Sequence, residues 1–192
     1  MKFKNGLLIF FVTILLSSCN QEVIQCKIVT TEGSIIVELY PKKAPITVEN
    51  FLQYVDAELY NNTSFFRVCT PENETDREIK IQVIQSADLD EATTLLPIQL
   101  ETTQLTGIKH LNGVISMARD TPHSATSSFF ICINDQPELD YQGKRNPDEQ
   151  GFGAFGKVIR GMEVVLKIQA QENTEQQLLK PVIIKTIKKI NE

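Results

Sequence analysis

The chain has 192 residues, 19 basic and 24 acidic, with a net charge of −5, 42% apolar residues and no tryptophan. One domain of ordinary size fits this length, and the balance of apolar and charged residues excludes a disordered, collagen-like or multispanning membrane chain. A net negative charge without a basic cluster also argues against a nucleic-acid binder, which needs a face that neutralises phosphates.

Lys2 and Lys4 precede an uncharged run of 11 residues, Gly6 to Leu16. A membrane-spanning helix needs about 20 apolar residues, so this run is too short to span and suits the apolar region of a secretory signal over residues 1–18. Leu16-Ser17-Ser18-Cys19 resembles a bacterial lipobox. That resemblance implies cleavage before Cys19, lipidation of Cys19, a tether over 19–25 and a protein anchored in the cell envelope. Asn20 after the cysteine leans toward the outer membrane, with the periplasmic and surface faces both open. Each buried acyl CH2 contributes about 0.8 kcal/mol, enough in sum to hold a multiply acylated domain at a membrane. Removal of 1–18 leaves 174 residues with 17 basic against 24 acidic, a net of −7. Cys26, Cys69 and Cys132 show neither CxxC nor zinc-like spacing. Cys26 and Cys132 are expected as small core residues, and one oxidised pair stays open in an exported domain.

In chain order, Gln25–Thr31 and Ser34–Tyr40 alternate as strands, with Glu32-Gly33 between them as a hairpin turn. Pro45 then opens a helical period of about 13–15 residues, in which Val48, Phe51, Leu52, Val55 and Leu59 share one face. Short strand-like runs follow at 64–69, 80–86, 113–118, 128–133 and 155–159, then a helix over Met162–Gln169 and a closing strand over 182–190. Two helices among about eight short strands, without β-α-β alternation, predict a mainly β (α+β) fold built on a closed antiparallel barrel. Thr70 to Glu78 reads as an exposed acidic loop.

Gly151, Gly153 and Gly156 fit G-x-G-x-x-G, but Lys157-Val-Ile continues as strand where a dinucleotide site needs a helix. The glycines are better read as turns and close barrel packing. His110 and His123 stand apart from any Ser or Cys nucleophile pattern or second metal ligand, so His110 reads as a structural hydrogen-bonding residue and His123 as a loop residue. No carboxylate pair announces acid/base chemistry. The sequons at Asn61 and Asn73 are common tripeptides with little meaning here.

Six ordered segments carry more. Ala44-Pro-Ile-Thr-Val-Glu-Asn-Phe51, Phe65-Phe-Arg67-Val, Val83-Ile-Gln85, Gly113-Val-Ile-Ser-Met-Ala118-Arg, Ser127-Ser-Phe-Phe130-Ile and Phe155-Gly-Lys-Val with Gly161-Met-Glu-Val-Val together resemble the cyclophilin family of peptidyl-prolyl cis-trans isomerases across 26–190. The resemblance implies an eight-stranded antiparallel barrel capped by two helices, with a substrate groove on its outer wall. It implies Arg67 as the catalytic arginine. Phe65, Val83, Gln85, Ala118, Arg119, Phe130, Leu139 and Phe152 would line the groove, with Ala118 and Arg119 pairing their backbone with substrate. Proline-containing polypeptides are the implied partners of a monomer that needs no cofactor or metal, and the implied task is folding of exported proteins.

Three departures from the family pattern stand out. Phe66 takes the place of the usual His before Arg67. Ile81-Gln82-Val83-Ile84-Gln85 replaces Gly-Phe-Met-x-Gln, which loses an aromatic to Gln82, and about ten extra residues containing 70–78 intervene. Ser128 replaces a Gln. These changes predict a shallower, more polar pocket with reduced turnover, and leave a binding or holdase module with little catalysis as the alternative. Glu138 stands where some relatives carry a tryptophan that binds cyclosporin.

Overall fold

The computed structural model describes residues 23–86, 89–90 and 92–190. The leader, Cys19 and most of the tether lie outside the described residues. Nine strands form one antiparallel sheet: β1 (Ile24–Thr30), β2 (Ser34–Leu39), β3 (Thr63–Cys69), β4 (Val83–Ser86), β5 (Val114–Met117), β6 (Phe129–Cys132), β7 (Gly153–Arg160), β8 (Asn173–Thr174) and β9 (Gln177–Lys189). Their order is β1-β2-β7-β5-β6-β4-β3-β9, and β9 pairs back onto β1, so eight strands close a barrel. The two-residue β8 adds only a hairpin to the start of β9.

Alternation puts Ile28, Ile35, Val37, Leu39, Ile84, Ile115, Ile131 and Phe155 inside, all fully buried. Thr30 shapes the β1–β2 turn. Its hydroxyl donates to the Gly33 carbonyl (2.8 Å) and accepts the Glu32 N–H (3.0 Å).

Helix α1 (Pro45–Asp56) begins at its proline and buries Val48, Phe51, Tyr54 and Val55. The Phe51 ring lies 5.2 Å from Phe155 and 5.5 Å from Phe129, each between ring centroids, so the helix seals the barrel with an aromatic cluster. Burying one such side chain contributes about 1.5–3 kcal/mol. No side chain of the adjoining segment caps α1. The Glu101 carboxylate, 54 residues on, accepts the Thr47 N–H (2.8 Å) and hydroxyl (2.7 Å), which places an anion at the positive helix end. Leu52 is only partly buried, and Leu59 lies beyond the helix.

A one-turn helix α2 (Thr103–Thr106), not anticipated from periodicity, interrupts the β4–β5 connection. Helix α3 (Met162–Gln169) follows the predicted span and packs on β2, β3 and β4. The last strand starts at Gln177, five residues ahead of the expected Val182. Pro181 is tolerated within this strand because it sits where the β3–β9 register jumps from Val182 to Gln177.

Cys26, Cys69 and Cys132 are free and buried. Cys69 and Cys132 both flank Val83 across β3-β4-β6, two strand spacings apart. At about 4.8 Å per spacing they are beyond disulfide reach.

Candidate active site

A cavity of about 490 Å³ opens on the barrel wall where β3, β4 and β6 lie side by side. Ile81, Val83, Phe130, Leu139 and Phe152 form its floor and belong, with Cys69 and Cys132, to a second apolar cluster separate from the barrel interior. Val83 and Gln85 reach the cavity from one face of β4, and Ile81, two residues earlier, extends the same face. Phe130 stands edge-on to Phe152, with centroids 5.4 Å apart at 89°. Gly151 holds this wall in place. It has φ +65°, and a Cβ there would lie 2.5 Å from the Asp140 carbonyl carbon and oxygen.

Arg67 comes from β3 at a break in the ladder. Phe65 pairs with Ser86 and Arg67 with the adjacent Gln85, so the single residue Phe66 is bulged. The bulge reverses the alternation. Phe65 points inward, fully buried against Phe129, while Phe66 and Arg67 both line the cavity. The expectation that Phe65 lines the groove is therefore corrected, and Phe66 takes that place.

The half-buried Arg67 guanidinium is fixed on two sides. Its Nη1 donates to Gln85 Oε1 (2.8 Å), and its Nε (2.9 Å) and Nη2 both donate to Gln176 Oε1. Gln85 Nε2 in turn donates to Ser128 Oγ (3.0 Å), whose hydroxyl donates to the Ser86 carbonyl (2.9 Å). Ser128 thus orients Gln85 despite being shorter than the family's glutamine.

Ala118 and Arg119 lie on the cavity rim. The Ala118 N–H is donated to the Ser128 carbonyl (2.8 Å), so this group is not available to a bound peptide. Arg119 acts through its side chain, which is 1% exposed. It grips both Asp148 carboxylate oxygens (2.7 Å each), donates to the Gly151 carbonyl (2.7 Å) and covers the Phe152 ring. The Arg119 hydrogen bonds hold the Asp148 carboxyl below its usual range.

The acidic loop over 70–78 is mostly exposed, as read from the sequence, with one exception at Glu74. Glu74 is 1% exposed. Its carboxylate pairs with the guanidinium of Arg145 through both oxygens and accepts the Ile81 N–H (2.7 Å). The loop is thereby tied across the groove end, and Arg77 and Arg145 join the lining. Gln82 turns away from the cavity, accepting from Asn134 Nδ2 (3.3 Å).

His110 lies beneath the floor, stacked on Phe130 at 6.0 Å. Nδ1 is 2.9 Å from Asp140 Oδ1 and Nε2 is 2.9 Å from Ser116 Oγ. With Nδ1–H donating to the carboxylate, Nε2 accepts from the Ser116 hydroxyl. Burial lowers the His110 pKa, partly offset by Asp140, which favours the neutral ring. Burial raises the Asp140 carboxyl, but hydrogen bonds from the His110 ring and backbone N–H outweigh it and leave a net lowering. All three groups are buried, consistent with a structural role.

The residues expected from sequence therefore meet in one cavity, Phe65 excepted. Ile81, Gln176 and the Glu74–Arg145 pair were not anticipated. Ile81 had a signal, its i, i+2 spacing from Val83, whereas the other contacts join residues 109 and 71 positions apart.

The family model described as cyclophilin type peptidyl-prolyl cis-trans isomerase/CLD matches residues 25–189. Peptidyl-prolyl cis-trans isomerase cyp18 of Streptomyces antibioticus is 35% identical over 169 residues, covering 83% of this chain and 94% of its own. Peptidyl-prolyl cis-trans isomerase B of Escherichia coli K12 is 37% identical over 147 residues, covering 73% of this chain and 80% of its own. A cyclophilin type isomerase of Cryptosporidium parvum, whose structure was solved in the presence of the dipeptide Ala-Pro, superposes with a TM-score of 0.70 at 23% identity, over 88% of this chain and 99% of that one. With the barrel, the groove and these likenesses in agreement, the chain belongs to the cyclophilin-type peptidyl-prolyl cis-trans isomerases.

Proposed function

We propose that this isomerase turns X-Pro bonds of exported polypeptides while tethered by lipid at Cys19, with Arg67 as its catalytic residue. Amide resonance sets a barrier of about 18–20 kcal/mol to rotation about the bond, so the uncatalysed step takes tens to hundreds of seconds. Twisting the bond frees the proline nitrogen lone pair, which then accepts a hydrogen bond from Arg67. This bond forms only in the twisted state and so lowers the barrier rather than merely tightening binding. Arginine suits the task because it stays charged at every relevant pH.

A charged hydrogen bond contributes about 1.5–3 kcal/mol, and orientation of the ring in a dry pocket adds to it. A thousandfold acceleration needs about 4 kcal/mol, within reach of these two effects. Val83, Phe130 and Leu139 would hold the proline ring, and Gln85 the flanking peptide.

The observation that carries the reading is the Arg67 guanidinium held at the mouth of a cavity floored by Val83, Phe130 and Leu139. In a protease-coupled assay on a short X-Pro peptide, Arg67→Ala is expected to lower kcat/KM by about a hundredfold, the loss of one charged hydrogen bond. Equal rates would remove Arg67 from the mechanism. The envelope location rests on the leader and on Leu16-Ser-Ser-Cys19. Cys19→Ala is expected to move the protein from the membrane to the soluble fraction; full membrane retention would overturn the anchor.

A further inference from the structure

We infer that Gln176 is a positioning residue for catalysis: it holds the Arg67 guanidinium in the orientation that meets the proline nitrogen. The inference rests on the reading of Arg67 as the catalytic donor.

A guanidinium has a fixed plane at the end of a long, flexible stem, and its catalytic value depends on how little that plane must reorganise when the substrate twists. Gln85 accepts from Nη1 alone, which leaves rotation about the Nη1 contact unrestrained. Gln176 Oε1 accepts from Nε and Nη2 together, a two-point contact along one edge, and with Gln85 it defines the plane. One N–H on each Nη stays available, since a guanidinium has five donors and these contacts use three.

The backbone that carries the acceptor is tied down. Gln176 occupies the tip of the β8–β9 hairpin, where Glu175 (φ 49°) and Gln176 (φ 74°) are both left-handed. Its carbonyl accepts the Val68 N–H (2.8 Å), which fixes the tip against the strand that bears Arg67. Asn73 of the inserted loop donates from Nδ2 to the Asn173 side chain (2.9 Å) and the Val68 carbonyl (3.0 Å), tying loop, hairpin and β3 together.

The test compares wild type, Gln176→Asn, Gln176→Glu and Arg67→Ala on one X-Pro peptide, with kcat and KM resolved by NMR line-shape analysis. Asparagine tolerates the left-handed backbone, so Gln176→Asn keeps the turn but withdraws the acceptor by one methylene. It is expected to lower kcat about tenfold, with KM and melting temperature nearly unchanged, and to broaden the Arg67 Nε–H resonance. Gln176→Glu keeps an acceptor at the same reach and is expected to stay within about threefold of wild type, a rescue that a merely structural role would not require. Wild-type kcat in Gln176→Asn beside an inactive Arg67→Ala would overturn the role of Gln176 alone. Full activity in Arg67→Ala would overturn the catalytic reading beneath it.

Discussion

Glu138 occupies a one-turn 3₁₀ segment, Pro137–Leu139, and its carboxylate accepts the Lys144 N–H (2.8 Å). A carboxylate tied to its own loop supplies neither the ring area nor the indole N–H that a large apolar macrocycle would seek. Cyclosporin is therefore expected to bind weakly, and Glu138→Trp to tighten it by about tenfold or more, a gain typical of an aromatic anchor. Submicromolar binding to the wild type by calorimetry would contradict this. Val83 and Ile81 make a related point. Val83 is shorter than the methionine of the family pattern, and Ile81, buried to 6% exposure, adds apolar surface on the same face of the floor, while Arg67, Gln85, Arg119, Ser128 and Arg145 make the walls polar, in keeping with the polar pocket expected from the sequence.

Among the elements, the inserted loop is the most distinctive. An exposed acidic segment would flap freely; this one is pinned by a buried pair, Glu74 fully enclosed and the Arg145 side chain 7% exposed. Removing one partner of such a pair leaves a desolvated charge and typically costs about 3–5 kcal/mol, less where the loop can open to water. Arg145→Ala is thus expected to release the loop before the barrel unfolds, seen as faster amide exchange over residues 70–82 and a raised KM, with the exchange of β1 and β2 unchanged. Uniform loss of protection would show instead that the pair supports the whole fold.

For the molecule as a whole, the buried Ser116–His110–Asp140 group links the pocket floor to overall stability. The native pKa of His110 lies below its unfolded value of 6.5, because burial disfavours the cation. Stability from this group is present above about pH 6.5 and is lost as pH falls toward the native value, because the unfolded chain takes up a proton that the native state resists. The expected slope is at most about 1.4 kcal/mol per pH unit. Urea unfolding at about pH 7 and about pH 5.5 checks it, with His110→Gln lacking the increment; identical slopes for both proteins would count against the assignment. Phe130 stacks on this ring, so the pocket and the barrel are expected to lose order together on acidification.

Much of this was legible in residue order alone. Period-2 runs located the barrel strands and the i, i+3, i+4 run after Pro45 located α1, because each of these signals lies within a few neighbouring residues, while the resemblance of short ordered motifs to the cyclophilin family brought Arg67, Val83, Gln85 and Phe130 forward. What alternation could not show was the bulge at Phe66, which sends Phe65 inward and Arg67 outward, since a bulge is set by how a strand meets its partners. Nor could it show that a glutamine 109 residues from Arg67 shares its guanidinium, or that Glu74 finds Arg145 across 71 residues. Hydrogen bonds between polar side chains leave no period in the sequence. They exist only once closure of the barrel has brought β3, β4 and the last hairpin to one side of the wall, and the orientation of Arg67, the proposed catalytic side chain, was decided there.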